Sequence, residues 1–139
     1  MVVGFLFRND FKEVALIQKQ KPDWQKGKLN GIGGKIEPGE KPIQAMRREF
    51  KEEAGAEIKK WENFCNLNSS DGSWYVYFFC SSESATITSM ESEKVDWYSV
   101  KKIPDLPTIP NLKWIIPLAI DNDAIFATAQ EKLRMSFED

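Results

Sequence analysis

Residues 34–56 of the chain, from Gly34 to Ala56, read GKIEPGEKPIQAMRREFKEEAGA. The second half of this stretch has a helical period, because Ile43, Met46, Phe50 and Ala54 fall on one apolar stripe. Pro42 suits a first helical turn and Gly55 suits a left-handed stop, so a helix is predicted over 42–54. At about 100° per residue, two charged faces separate beside that stripe. Arg47, Arg48 and Lys51 spread over one, and Glu49, Glu52 and Glu53 gather on the other. Carboxylates three and four residues apart repel, at a cost of about 0.2–0.5 kcal/mol for each pair. Two readings of the helix stand at this point: a solvated charged face, or a carboxylate cluster built for a cation.

Upstream, Val2 to Phe7 and Glu13 to Gln18 are β-rich runs parted by Arg8-Asn9-Asp10, which predicts a hairpin. A polar loop over 19–28 leads to Gly31-Ile32-Gly33-Gly34. Downstream, a second β region is expected at Ile58 to Leu67 and Trp74 to Cys80, with Ser69-Ser70-Asp71-Gly72 as its turn. Ala85 to Thr88 and Val95 to Val100 read as further short strands. Pro104, Pro107 and Pro110 stiffen a loop, and a second helix is expected from Asn111 to about Ile120, bent at Pro117. Strands and helices interleaved in this way predict an α/β fold, a mixed sheet flanked by helices.

With 139 residues, the chain fits one domain, expected to span 1–139. The formal charge of -2 argues against a polymer-coating nucleic-acid binder, whose affinity comes from basic surface. There is no histidine, which removes His-ligated zinc and His-based nucleophile pairs. Proton transfer falls to carboxylates, Lys, Tyr or a metal-bound water. Cys65 and Cys80 are no disulfide framework and read as small half-buried hydrophobes. No run approaches a signal-peptide core or a membrane span, so a cytoplasmic protein without membrane partners is expected.

Gly34, Glu40, Arg48, Glu49, Phe50, Glu52, Glu53, Gly55 and Ala56 stand in the order G-x5-E-x7-R-E-U-x-E-E-x-G-U, where U is apolar. This resembles the box of the Nudix hydrolases at every fixed position. Chance would supply it roughly once in a million such chains or less. The resemblance implies a Nudix-type α/β/α sandwich and Mg2+-dependent hydrolysis of a diphosphate linkage, with Mn2+ able to substitute. Oxygen-rich carboxylates suit Mg2+, which keeps its waters and bridges to phosphate oxygens. In these terms Glu49, Glu52 and Glu53 are metal ligands or the base, with Glu49 chosen as base and the Gly33 carbonyl completing the site. Glu40 supports the cluster, and Arg48 orients a neighbouring glutamate. Glu93 is the candidate extra ligand from another strand, with Glu91 as runner-up.

Leu29 to Lys35 followed by Glu40 is similar to the same region of MutT-type enzymes, and the Pro-rich layout of 91–120 is similar more loosely. That likeness implies a small-molecule nucleotide substrate, most specifically an oxidised purine dNTP cleaved to a monophosphate and pyrophosphate. Asn30 and Asn111 are carried over as base-reading residues, because an amide offers donor and acceptor together. Asn111 also reads as a plain helix N-cap. Trp24 aligns with an aromatic of the base pocket and reads equally as packing under its loop. Lys19, Lys21 and Lys35 are candidates for the phosphate tail or for solvated surface. Tyr75 keeps a dinucleoside polyphosphate substrate open, ADP-ribose is a further alternative, and a non-catalytic nucleotide-binding module comes from another class. A monomer or homodimer is expected.

Overall fold

In the computed structural model, which describes residues 1–121, the apolar run at the start becomes the central strand of a seven-stranded mixed sheet. This strand, β1 (Val2–Arg8), is buried at every residue but the last, as a run with no polar alternation requires. The chain turns through Asn9, Asp10 and Phe11, all at positive φ, into β2 (Glu13–Gln18), which makes the expected hairpin. Two short strands follow, β3 (Leu29–Asn30) against β2 and β4 (Ile32–Gly34) against β1. The glycine-rich stretch, read from sequence as a loop, is therefore partly sheet.

The helix α1 (Pro42–Ala54) has the predicted bounds. The Gln44 side chain accepts the Lys41 N–H at 2.8 Å at its start, and Gly55 ends it at φ 72° in the left-handed region. Beyond it, β5 (Glu62–Asn68) and β6 (Tyr75–Ser81) pair antiparallel, and β6 lies parallel to β1. The strand β7 (Val95–Ser99) closes against β2. Among the described residues a second helix, α2, occupies 112–121 with Pro117 inside it.

Side chains alternate across β1 and β2, so each strand feeds two cores. Val2, Leu6, Ala15 and Ile17 meet Ala45, Met46, Phe50 and Ala54 of α1. Val3, Phe5, Phe7, Val14 and Leu16 meet Leu112, Ile115, Ile116 and Ala119 of α2. Each large apolar side chain buried in this way stabilises the fold by about 1.5–3 kcal/mol. The apolar stripe of α1 is thus consumed by the sheet, which leaves its charged faces outside.

Two expectations need correction. The second β region begins at Glu62 rather than Ile58, because Ile58 is fully buried as a core plug before the strand starts. Ala85 to Thr88 is not a strand. The Thr88 N–H donates to the Ala54 carbonyl at 2.9 Å and the Met90 N–H to the Glu53 carbonyl at 3.2 Å. This segment satisfies its backbone on the open end of α1 instead of on a ladder.

Candidate functional site

Arg48 organises the charged side of α1. Its Nε and Nη2 donate to the two oxygens of Glu40 at 2.7 and 2.9 Å. Nη1 donates to Glu49 at 2.8 Å and to Glu52 at 3.3 Å, and Nη2 also reaches the Lys35 carbonyl at 2.9 Å. The expected Arg48–Glu52 contact is made, but it is the longest of these bonds. One guanidinium therefore ties the loop before the helix to two helical carboxylates. Bonding to Arg48 holds the Glu40 carboxyl at about 2, and the Glu37 N–H adds to this. The same carboxylates push the Arg48 pKa up.

Glu49 lies directly over Gly34. A Cβ on that glycine would stand 2.5–2.6 Å from the Glu49 carboxylate. Gly33 is needed for a different reason, since its Cβ would meet the Val2 carbonyl oxygen at 1.9 Å. Burial raises the Glu49 pKa, opposed by Arg48. Glu53 is more deeply placed, and burial pushes its carboxyl up to about 8. Lys19 opposes that shift, whereas Glu49, Glu93 and Glu91 reinforce it. The Glu53 Oε2 is buried without a hydrogen-bond partner.

Glu91 and Glu93 reach this cluster because the segment before them is tied to the end of α1. Glu93 accepts from Lys19 Nζ at 3.3 Å and from the Gln20 N–H at 2.5 Å. Lys19 is therefore committed to Glu93, and Lys21 and Lys35 are exposed. Glu91 is exposed and acts on both Glu49 and Glu53 through its charge. Among the described residues, no three acidic, Cys or His groups already converge as a finished ion cage. The donor chemistry nevertheless fits a hard divalent cation: oxygens only, an excess of negative charge, and an orphaned buried carboxylate oxygen.

A cleft of about 410 Å3 opens on the α2 side of the sheet, where Val3, Phe78 and Ile109 line it. Trp24, Gln25, Asn30, Trp74 and Asn111 line it as well. The structure thus brings together Asn30, Asn111 and Trp24, three residues from distant parts of the sequence. Trp24 is 63% exposed, so it is a wall of the cleft and not packing under a loop. Asn30 Oδ1 accepts the Gly31 N–H at 2.7 Å, which leaves the amide nitrogen to donate. The Asn111 backbone carbonyl accepts from Ile115 at 2.9 Å, but its side-chain Oδ1 is buried and unpaired. The side-chain cap is not made. Asn30 and Gly34 are four residues apart, at most about 14 Å of chain, so one nucleotide can span cleft and carboxylates.

Gln25 and Trp74 were not found from sequence. A Trp just after a turn is the one signal the sequence offers for Trp74, and nothing in the neighbours of Gln25 marks it.

The NUDIX domain family model matches residues 1–118. The chain is 31% identical over 109 residues to the human 8-oxo-dGDP phosphatase NUDT18, covering 74% of this chain and 33% of that protein. It thus spans about a third of the length of the curated relatives it matches. Among solved structures, a MutT from the study of the Aliivibrio salmonicida and Vibrio cholerae proteins superposes with a TM-score of 0.73 at 24% identity, covering 87% of this chain and 95% of that one. The NUDIX domain of Shewanella oneidensis NrtR, solved with ADP-ribose, superposes with a TM-score of 0.75 at 20% identity, covering 87% and 85%. Both likenesses are of fold.

Proposed function

This chain belongs to the Nudix hydrolase family, and from that premise we propose that it hydrolyses the α–β phosphoanhydride of an oxidised purine deoxynucleotide, with Mg2+ as cofactor. The observation that carries this reading is the junction of two features. A cleft walled by Trp24 and Trp74 and lined by Asn30 and Asn111 opens a few residues of chain from a carboxylate cluster with an orphaned buried oxygen. The human relative is named for action on 8-oxo-dGDP, which favours an oxidised guanine base. A triphosphate substrate gives the monophosphate and pyrophosphate, and a diphosphate gives the monophosphate and phosphate.

Glu52 and Glu53 with the Gly33 carbonyl would hold the metal, and Glu91 or Glu93 would complete its shell. When bound, the ion neutralises the phosphates and lowers the pKa of a coordinated water. Glu49 is the base: its buried carboxyl has a raised pKa, and Arg48 and Gly34 fix its position. Arg48 and Glu40 keep that geometry, while Trp24 and Asn30 hold the base so that the phosphates lie over the glycine stretch. Lys21 and Lys35 are free to meet the outer phosphates.

The test is a hydrolysis screen with and without Mg2+ over 8-oxo-dGTP, 8-oxo-dGDP, normal dNTPs, ADP-ribose and diadenosine polyphosphates, with products identified. Oxidised guanine nucleotides should give the highest kcat/KM, and 18O from water should appear in one product at the attacked phosphorus. Faster turnover of ADP-ribose or a dinucleoside polyphosphate would overturn the substrate. Binding without turnover of any of them would make the chain a nucleotide-binding module.

A further inference from the structure

The cleft contains a polar group that this reading does not yet use. Gln25 sits in the short 3-10 turn Asp23–Gln25, directly after the exposed Trp24, and it lines the same cleft as Asn30 and Asn111. Its backbone N–H is satisfied by the Pro22 carbonyl at 2.9 Å, so the turn itself needs nothing from the side chain. Gln25 Oε1 is nevertheless buried with no hydrogen-bond partner, and so is Asn111 Oδ1 in the same cleft. Leaving a buried polar atom unpaired is costly, and two such atoms on residues that line one cleft point to a ligand that brings the missing donors.

The polarity of the set narrows that ligand. Two acceptors stand unpaired, and Asn30 has its oxygen taken by Gly31 and its amide nitrogen left to donate. A matching ring presents two N–H donors and one carbonyl. Guanine carries N1–H, the N2 amino group and O6. Adenine offers its N6 amino group beside an acceptor nitrogen and has no carbonyl. Thymine has a single ring N–H, and cytosine a single amino donor on its pairing edge.

We propose that Gln25 is a specificity-determining residue that accepts the 2-amino N–H of a guanine-type base, alongside Asn111, which faces N1–H. This rests on the nucleotide-hydrolase reading above and assigns the base discrimination within it to a residue of the 19–28 loop.

The experiment compares kcat/KM for dGTP and dITP, which differ by the 2-amino group, in the parent, in Gln25→Met and in Gln25→Glu. 8-oxo-dGTP is run as the reference substrate. In the parent, the missing amino group should lower kcat/KM by about five- to a hundredfold, as expected for an unpaired buried acceptor. Gln25→Met keeps the length and removes the acceptor, so it should bring the dGTP-to-dITP ratio close to one. Gln25→Glu keeps an acceptor and should retain most of the discrimination. A parent that treats dGTP and dITP alike overturns the proposal without any variant. A parent that discriminates equally well with Met at position 25 also overturns it and leaves the hydrolase reading intact. Failure to turn over any of these triphosphates or the corresponding diphosphates refutes both.

Discussion

Two adjacent glycines separate cleanly at the level of single residues. A methyl on Gly33 strikes the backbone oxygen of Val2 in the central strand, which cannot yield without moving the sheet. Gly33→Ala should therefore cost stability, by about 1–3 kcal/mol or more, seen as a fall in Tm. A methyl on Gly34 strikes only the end of the Glu49 side chain. Gly34→Ala should melt close to the parent and lose most of its turnover, because the displaced carboxylate is the proposed base. Parent-like kcat/KM in that variant would remove Glu49 from the mechanism. Glu53→Gln preserves shape and removes the carboxylate that a bound cation would hold ionised, so turnover should fall by orders of magnitude while the melting curve is kept. Near-normal activity of that variant, or activity of the parent in excess EDTA, would refute the metal-ligand role.

At the scale of elements, α1 was fully legible because every local signal agreed: Pro42 at the start, one apolar stripe, and Gly55 at the end. Residues 85–88 were not. Ala85 to Thr88 alternate as a strand does, and only the open carbonyls at the end of a helix thirty-odd residues earlier explain why they form none. The same limit applies at the site. Asn30, Asn111 and Trp24 were reached through resemblance to relatives, whereas the direction in which Gln25 turns its amide is a tertiary fact. The start of α2 gives a prediction. Since Asn111 Oδ1 does not bond the helix, Asn111→Ala should keep the parent Tm and erode the purine preference. A loss of about 1 kcal/mol with unchanged selectivity would return it to a cap. The loop that leads into α1 gives another. Glu40 titrates at about 2 when folded, against an ordinary value of 4.5. Its lowered pKa favours the folded state above 4.5, and that contribution is lost as pH falls from 4.5 through about 2. Tm measured against pH should drop more steeply there in the parent than in Glu40→Gln. Parallel curves would mean that the Arg48–Glu40 pair does nothing for stability.

For the molecule as a whole, β1 is the member common to both cores, with Val2 and Leu6 on the α1 side and Phe5 and Phe7 on the α2 side. Loss of either helix would strip one face of the same strand, so the two layers should unfold together. Urea curves followed by tryptophan fluorescence and by far-UV circular dichroism should superimpose, and two separated midpoints would contradict the shared strand. The contact between residues 88–90 and the end of α1 bears on how such a protein drifts over evolutionary time. Its two hydrogen bonds are made by main-chain groups that any residue but proline supplies, whereas Ser89 between them accepts the Val95 N–H through its side chain at 2.8 Å. Mutations can accumulate at Thr88 while Ser89 keeps the strut on β7 and the acidic residues just after it stay beside Glu53. A position that would look unconstrained among descendants of this chain is therefore a fixed part of its frame.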